Sequence, residues 1–378
     1  MQFNRILCVF GTRPEAIKIA PLLLEMNKLN PKPNVKVCVT AQHREMLDMV
    51  INIFDIKVDY DLDLMKKGQS LHNLTTDVII GIKEVLYEFK PDLVVVHGDT
   101  TTAFSTSLAC FYEKIPVAHI EAGLRTNNIY SPWPEELNRQ LISRIATFHF
   151  APTENNKESL IEENINPKNI YVTGNTVIDS LFMVMEKIEN NSSFKNKLEF
   201  DLKRHGIDLV KYKRLILVTL HRRENFGKRL INICNSLKKI ASDNPDLCII
   251  YPVHLNPNVQ IPVHKILKNI KNIYLTEPLD YTTFIYLMSK SYFILTDSGG
   301  IQEEAASFNK PVLIIRDTTE RKEAIHAGTA KLIGTEERII ISEVQKFINN
   351  ENECLQMSNA VNPFGDGRAS ERIVNSLF

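Results

Sequence analysis

Short apolar runs of four to six residues, rich in Val, Ile and Leu and without alternation, recur along the chain. Most end in a polar or glycine-bearing turn and lead into a longer amphipathic stretch. In the first half they are RILCVFGTR, VKVCVTAQH, DLVVVHGDTTT, VAHIEAG, FHFAPT and IYVTGN; the second half has RLILVTLHRRE, LCIIYPVH, NIYLTEPL, YFILTDSGG and PVLIIRD. Unalternated runs of this length are what strands buried on both faces look like, and the helical lengths separating them imply parallel βαβ units. The pattern therefore predicts an α/β protein of two doubly wound, Rossmann-like domains. The first is expected over residues 1–175, with its boundary near Asn175 in TGNTVIDS. The second is expected over 176–364, opening on the Lys/Asn-rich helical stretch EKIENNSSFKNKLEFDLKRHG, and residues 365–378 are expected to form a helix packing back across the domains.

In open parallel sheets, ligands bind at the carboxyl ends of the strands, where the winding reverses. Nearly every run ends in a group suited to chemistry or to anions: Arg13, His43, His97 with Asp99, Glu121, His221 with Arg222, His254, and Ser298 with Gly299 and Gly300. Two domains facing each other with such rims would enclose a cleft, the expected place for a ligand.

Composition narrows the function. The chain has 378 residues, 44% hydrophobic and 24% charged, more than one core comfortably holds. Lys+Arg and Asp+Glu each number 45, so no domain-wide basic field exists for a nucleic-acid backbone or an anionic membrane, and neither is an expected partner. The N-terminal run ILCVF is too short for a signal peptide, and no apolar stretch reaches membrane-spanning length. The six cysteines never form CxxC, and four sit within apolar runs; they read as small buried hydrophobes in a reducing cytoplasm. With no HExxH and no paired His/Cys ligands, no metal is expected.

Three stretches carry candidate chemistry. In FGTRPEAIKIAPLL, Thr12 is the expected N-cap, Pro14 the first helical residue and Glu15 a first-turn acid. Arg13 then joins a helix N-terminus suited to anions, with Lys18 on a similar face. Only one glycine stands where a dinucleotide site wants G-x-G-x-x-G, so no NAD fingerprint is read and no cofactor is expected. In ILTDSGGIQEEAASF, Ser298, Gly299 and Gly300 between a strand and a helix would let backbone N–H groups approach a diphosphate. Glu303 and Glu304 complement the same helix dipole, Glu304 also lies where ribose hydroxyls could be bound, and Arg321 could add a bond to phosphate. In HIEAGLRTNNIYSPWPEELNR, Glu121 ends one strand while Asp99 ends its expected neighbour, roughly 5 Å away. Crowded carboxylates would raise at least one pKa and supply proton donor and acceptor near neutrality. Strand-end acids, first-turn acids such as Glu135 and Glu136, and lone histidines such as His221 are equally at home in purely structural roles.

The motifs FGTRPEAIK, TAQHREMLD, VHGDTTT, EAGLRT, YSPWPEELNRQL, TGNTVID, HRRENFG, YPVHLNPNV, TDSGGIQEEA and RDTTER, in this order, resemble the non-hydrolysing UDP-N-acetylglucosamine 2-epimerases of bacteria and archaea. The resemblance runs from Ile6 to NPFGDGRASERI. It implies a GT-B-like pair of Rossmann domains, a homodimer, and reversible conversion of UDP-GlcNAc to UDP-ManNAc through elimination of UDP to 2-acetamidoglucal and re-addition. By the same resemblance Asp99, Glu121 and Glu135 handle protons, and His221 serves the diphosphate and departing oxygen. Arg13, Lys18, Ser298, Gly299, Gly300 and Arg321 hold UDP, Glu304 the ribose, and the stretch from Leu279 to Phe284 walls the uracil. Arg139 matches a site arginine that orients a carboxylate or contacts phosphate. Gln42, His43, Gln69, Glu136, Arg222 and His254 match a second UDP-GlcNAc site that activates turnover.

Three other readings share these features. A glycosyltransferase would use the same fold with an acceptor groove, a hydrolysing epimerase would release free ManNAc, and a sugar-nucleotide sensor would keep the UDP-holding residues without turnover.

Overall fold

The computed structural model describes residues 3–40, 44–64 and 68–378, the side chains of 44–46 aside. The chain divides into two compact units, Met1–Met183 with Phe364–Phe378, and Val184–Pro363. In chain order the first unit contains β1 (Arg5–Phe10), α1 (Arg13–Met26), β2 (Asn34–Val39), α2 (Arg44–Ile53), β3 (Tyr60–Asp61), α3 (Leu71–Phe89), β4 (Leu93–His97), α4 (Thr101–Tyr112), β5 (Val117–Ile120), α5 (Glu135–Ile145), β6 (Phe148–Ala151), α6 (Glu154–Glu162) and β7 (Ile170–Val172). Helix α7 (Thr176–Glu189) contains the point of division. The second unit follows with α8 (Ser192–Arg204), β8 (Arg214–Thr219), α9 (Lys228–Asp243), β9 (Leu247–Pro252), α10 (Pro257–Leu267), β10 (Ile273–Thr276), α11 (Tyr281–Lys290), β11 (Phe293–Thr296), α12 (Gly299–Ser307), β12 (Val312–Ile314), α13 (Lys322–Ala327), β13 (Ala330–Leu332), α14 (Glu337–Asn349) and α15 (Glu351–Ser358). The last helix, α16 (Ala369–Leu377), belongs to the first unit and packs on α1.

Both sheets are parallel throughout, as expected of Rossmann-like domains, in the orders β3-β2-β1-β4-β5-β6-β7 and β10-β9-β8-β11-β12-β13. The winding reverses at β1/β4 and at β8/β11, so each sheet has its crevice at the carboxyl ends of those pairs. The apolar runs fill the two cores. Leu7, Val9, Val94 and Val96 pack under Val78, Ile82 and Val85 of α3, while Ile216, Val218, Ile249 and Leu295 pack with Leu237 of α9 and Val344 of α14. Strands β3 and β13 are absent from the apolar pattern. They are two- and three-residue edge strands, each paired on one side only, and need no continuous buried run.

All six cysteines are buried free thiols. Helix α16 is tied down by the buried Asp179 of α7, whose carboxylate accepts from Ser370 N (2.8 Å) and Ala369 N (3.2 Å) at the helix start. Among the described residues, no helix is long and apolar enough to cross a membrane.

Candidate active site

In the first unit, β1 leaves the sheet at Gly11 and α1 begins at Arg13, so Pro14 is the second helical residue, one later than expected. Thr12 and Glu15 form the capping box: Glu15 Oε2 accepts from Thr12 N (2.8 Å), Thr12 Oγ1 (2.7 Å) and Gly11 N (3.1 Å). Its other oxygen accepts from Thr100 Oγ1 (2.7 Å), joining the β1 turn to the β4 turn across the crevice. Glu15 is thus structural. Arg13 is exposed, with no partner among the described residues.

Strands β4 and β5 are neighbours, with His97 opposite Ile120, and this register brings their end residues together. Glu121 adopts a left-handed backbone (φ 61°), uncommon for a residue with a side chain and costing on the order of 1 kcal/mol. Two residues on, Gly123 has φ 91°, and a Cβ there would lie 2.1 Å from Asn156 O, so only glycine fits. The turn presents the Glu121 carboxylate to Lys18 of α1, with which it pairs, and to Asn175 Nδ2 (3.0 Å). His97 Nε2 is 3.5 Å from the same Glu121 oxygen. That contact is too loose for a hydrogen bond, and the Nε2 atom is buried without one. Burial would raise the Glu121 pKa, but Lys18 and then His97 outweigh it and hold the carboxyl well below its ordinary range. Asp99 pairs instead with Arg139 of α5. Glu121 is therefore not raised, contrary to expectation: Lys18 offsets its burial, and Asp99, the expected crowding partner, is paired with Arg139.

Helix α5 supplies the remaining acids. Glu135, half-buried, has no ion-pair or hydrogen-bond partner among the described residues. Glu136 is fully buried and accepts from Thr126 N (3.1 Å), Asn127 N (3.1 Å), Gln140 Nε2 (3.1 Å) and Arg139 Nη1 (3.2 Å). It holds both the loop entering α5 and the arginine that reaches Asp99. Arg125 is structural as well, forming a bidentate pair with Glu163 (2.6 and 2.8 Å). Much of the charge in this segment thus shapes a loop.

In the second unit, Asp297 at the end of β11 is fully buried and organises the β8 turn. It accepts from His221 N (3.1 Å), Arg222 N (3.0 Å) and Asn225 Nδ2 (3.0 Å). The next residues, Ser298, Gly299 and Gly300, begin α12, and Ser298 makes no side-chain cap, so its hydroxyl does not occupy the first-turn N–H groups. The His221 ring lies parallel to that of His254, 6.0 Å between centroids. Burial, Arg222 and His254 together lower the His221 pKa despite Asp297, favouring a neutral imidazole at neutral pH.

Glu320 bridges Arg222 Nη2 (2.6 Å) and Arg316 Nη1 (2.7 Å) and has a pKa of about 2, the arginines outweighing burial. A Cβ on Gly299 would lie 2.9 Å from its Oε1, so this carboxylate rests against the start of α12. Arg321 pairs with Glu303, one residue before Glu304 on α12. Leu279 and Phe284, both half-buried, flank Asp280, the N-cap of α11.

Of the residues expected at a second nucleotide site, Gln42 and His43 lie outside the described residues. Arg222 and His254 adjoin His221, and Gln69 donates to Asp77 (2.8 Å). Sequence reasoning noted His97 but gave it no role, and overlooked Asn175, Asp297, Arg316 and Glu320. For Asp297 a signal existed: an acid directly before a strand-to-helix glycine pair. Among the described residues, no cluster of three His, Cys, Asp or Glu side chains could hold a metal ion.

Known proteins resemble this chain in sequence and fold. The family profile described as UDP-N-acetylglucosamine 2-epimerase matches residues 27–378. A Campylobacter jejuni UDP-N-acetylglucosamine 2-epimerase is 57% identical over 374 residues, covering 99% of this chain and 97% of the relative. The Escherichia coli K12 protein of the same name is 52% identical over 373 residues, covering 99% and 98%. The crystal structure of the Neisseria meningitidis UDP-GlcNAc 2-epimerase bound to UDP-GlcNAc superposes with a TM-score of 0.89 at 52% identity, covering 98% of this chain and 99% of that one. That of the Methanocaldococcus jannaschii enzyme with UDP-GlcNAc and UDP gives 0.80 at 33% identity, with coverage of 98% and 99%. Sequence and fold, matched over nearly their whole length, place this chain in the UDP-N-acetylglucosamine 2-epimerase family.

Proposed function

We propose that this protein, an isomerase of the UDP-N-acetylglucosamine 2-epimerase family, interconverts UDP-GlcNAc and UDP-ManNAc by eliminating UDP and adding it back. The observation that carries this reading is the pair of carboxylates at adjacent strand ends, Glu121 with Lys18 and Asp99 with Arg139. The C2 hydrogen of the sugar has no neighbouring carbonyl and is not acidic. Breaking the C1–O bond gives oxocarbenium character at C1, which makes the C2 proton removable. The C2–H electrons form the C1=C2 bond of 2-acetamidoglucal, and UDP departs with the C1–O pair. Protonation of C2 on the opposite face and return of UDP to C1 complete the epimerisation.

Asp99, Glu121 and Glu135 are the proton-handling groups in this scheme. His221, favoured as a neutral imidazole, serves the departing oxygen. Arg13, Lys18, Ser298, Gly299, Gly300 and Arg321 hold the diphosphate, Glu304 the ribose, and Leu279 to Phe284 the uracil. Lys18 links binding to chemistry: a diphosphate offers its ammonium a stronger anion than Glu121, and drawing Lys18 away raises the carboxylate toward a working base. The decisive experiment incubates the protein with UDP-GlcNAc in deuterated water without added NAD. Deuterium at C2 of intact UDP-ManNAc is the expected result. Free ManNAc would indicate hydrolysis instead, and unchanged substrate would point to transfer or sensing.

Glu320 gives an independent check on the diphosphate position. Glu320→Gln removes a negative charge from beside Gly299 and releases Arg222 and Arg316, so UDP should bind about tenfold tighter by calorimetry. Unchanged or weaker binding would move the diphosphate elsewhere.

A homodimer fits the exposed apolar residues Ile80 and Tyr87 of α3, Phe111 and Tyr112 of α4, and Leu137 and Leu141 of α5, helices that pack side by side. Phe111→Asp should shift the mass in light scattering from dimer to monomer; an unshifted dimer would exclude this face. A second UDP-GlcNAc, held by Gln42, His43, Gln69, Glu136, Arg222 and His254, would activate turnover through a coupling free energy. We place the reaction in the cytoplasm, supplying ManNAc-type sugars for surface polysaccharides.

A further inference from the structure

Among the titratable groups around Glu121, His97 is the one the proposed mechanism leaves unused. It ends β4, its side chain is 4% exposed, and its Nε2 faces a Glu121 oxygen at 3.5 Å without a hydrogen bond. A buried nitrogen left without a partner is costly, and here the atom opposite is a carboxylate oxygen, the best acceptor available. One proton added to the pair would convert the loose contact into a charge-assisted hydrogen bond. That proton is what Glu121 gains in the reaction.

We propose that His97 is the positioning residue for Glu121, completing a carboxylate–imidazole pair that takes up and returns the C2 proton as a unit. This inference rests on the reading of Glu121 as a proton-handling residue. In the forward direction the C2–H bond breaks and an O–H bond forms on Glu121; the proton then passes to His97 Nε2, leaving a carboxylate beside an imidazolium. In the return direction the same steps run backwards, and no other reactant is consumed. The charged groups facing His97 suit this. Glu15 approaches from α1, His119 and Glu121 from β5 and its end, and Lys18 pairs with the same Glu121 oxygen that His97 faces. His119 Nε2 contacts Gly98 O (2.7 Å), and burial pushes its pKa down to about 3, so it stays neutral and adds no competing cation. Glu15, buried under its capping bonds, supplies a nearby negative charge when ionised.

The test is the pH dependence of kcat for His97→Gln, which keeps an amide nitrogen near the Nε2 position but cannot carry the proton. We expect kcat to fall about a hundredfold with KM within about twofold, C2 deuterium exchange to slow in proportion, and one ionisation to vanish from the kcat profile. In His97→Ala, added imidazole should restore part of the rate. A wild-type kcat, or a lowered kcat whose profile keeps every ionisation and whose alanine variant imidazole does not rescue, would overturn the proposal. Should His97→Gln fold poorly, histidine-selective 15N NMR of the wild type decides: an Nε2 signal that ignores Glu121→Gln overturns the pairing. Full exchange in Glu121→Gln would strike the underlying reading. Impaired exchange there alongside an unaffected His97→Gln would strike this inference alone.

Discussion

Replacing Glu121 with Gln is expected to lower kcat by about a thousandfold and to abolish most deuterium incorporation at C2, the range spanned by losing a positioned acid–base group. The amide keeps the shape and can still accept from Asn175, so KM should change little. It cannot take a proton, and it gives Lys18 no charge to pair with. Stability should follow with a definite sign. Glu121 is held below its unfolded-state value, so its ion pairing stabilises the fold above about pH 4.3 and is lost as pH falls through the folded value. The variant should therefore unfold more readily than wild type near neutrality, with the gap narrowing in acid. A Glu121→Gln protein that exchanges C2 hydrogen at the normal rate would remove this residue from the proton path.

Glu136→Leu should be the most damaging substitution for stability in the first unit. The leucine strands four donors, among them the guanidinium of Arg139, whose side chain is 7% exposed. Breaking a buried pair by removing one partner costs about 3–5 kcal/mol, a large part of the total stability of a typical domain. Arg139 would retain Asp99 as its only ionic partner among the described residues, so the Asp99 carboxylate should shift and kcat should fall together with the urea midpoint. Stability within about 0.5 kcal/mol of wild type would show that the network contributes no net stabilisation.

The sequence exposed the fold because the strands are local objects. A central parallel strand is buried on both faces and must be apolar along its length, so β1, β4, β8 and β11 announce themselves without any knowledge of their neighbours. The same physics hid β3 and β13: Asp61 and Lys331 interrupt their apolar runs, which strands at a sheet edge tolerate. The capping box at Thr12 and Glu15 was equally local, and only the placement of Pro14 slipped, by one residue.

Charged side chains behave otherwise, since a carboxylate's pKa is set by whatever lies within a few ångströms, wherever that sits in the chain. Glu121 takes its partners from α1, β4 and the turn after β7, segments that meet only because β1, β4 and β5 are adjacent. No spacing rule would have matched it with Lys18, and the expectation of a raised carboxylate failed for that reason. Glu136 and Asp297 are similar: read along the chain they are a first-turn acid and a strand-end acid, while in the fold each is a buried anchor for several donors. By itself, then, the sequence determined the two Rossmann-like units, the strand ends that carry the candidate site residues, and the family. Only the tertiary structure decided which charge neutralises which, because burial depth and pairing across 103 residues are properties of the packed sheet and have no local signature.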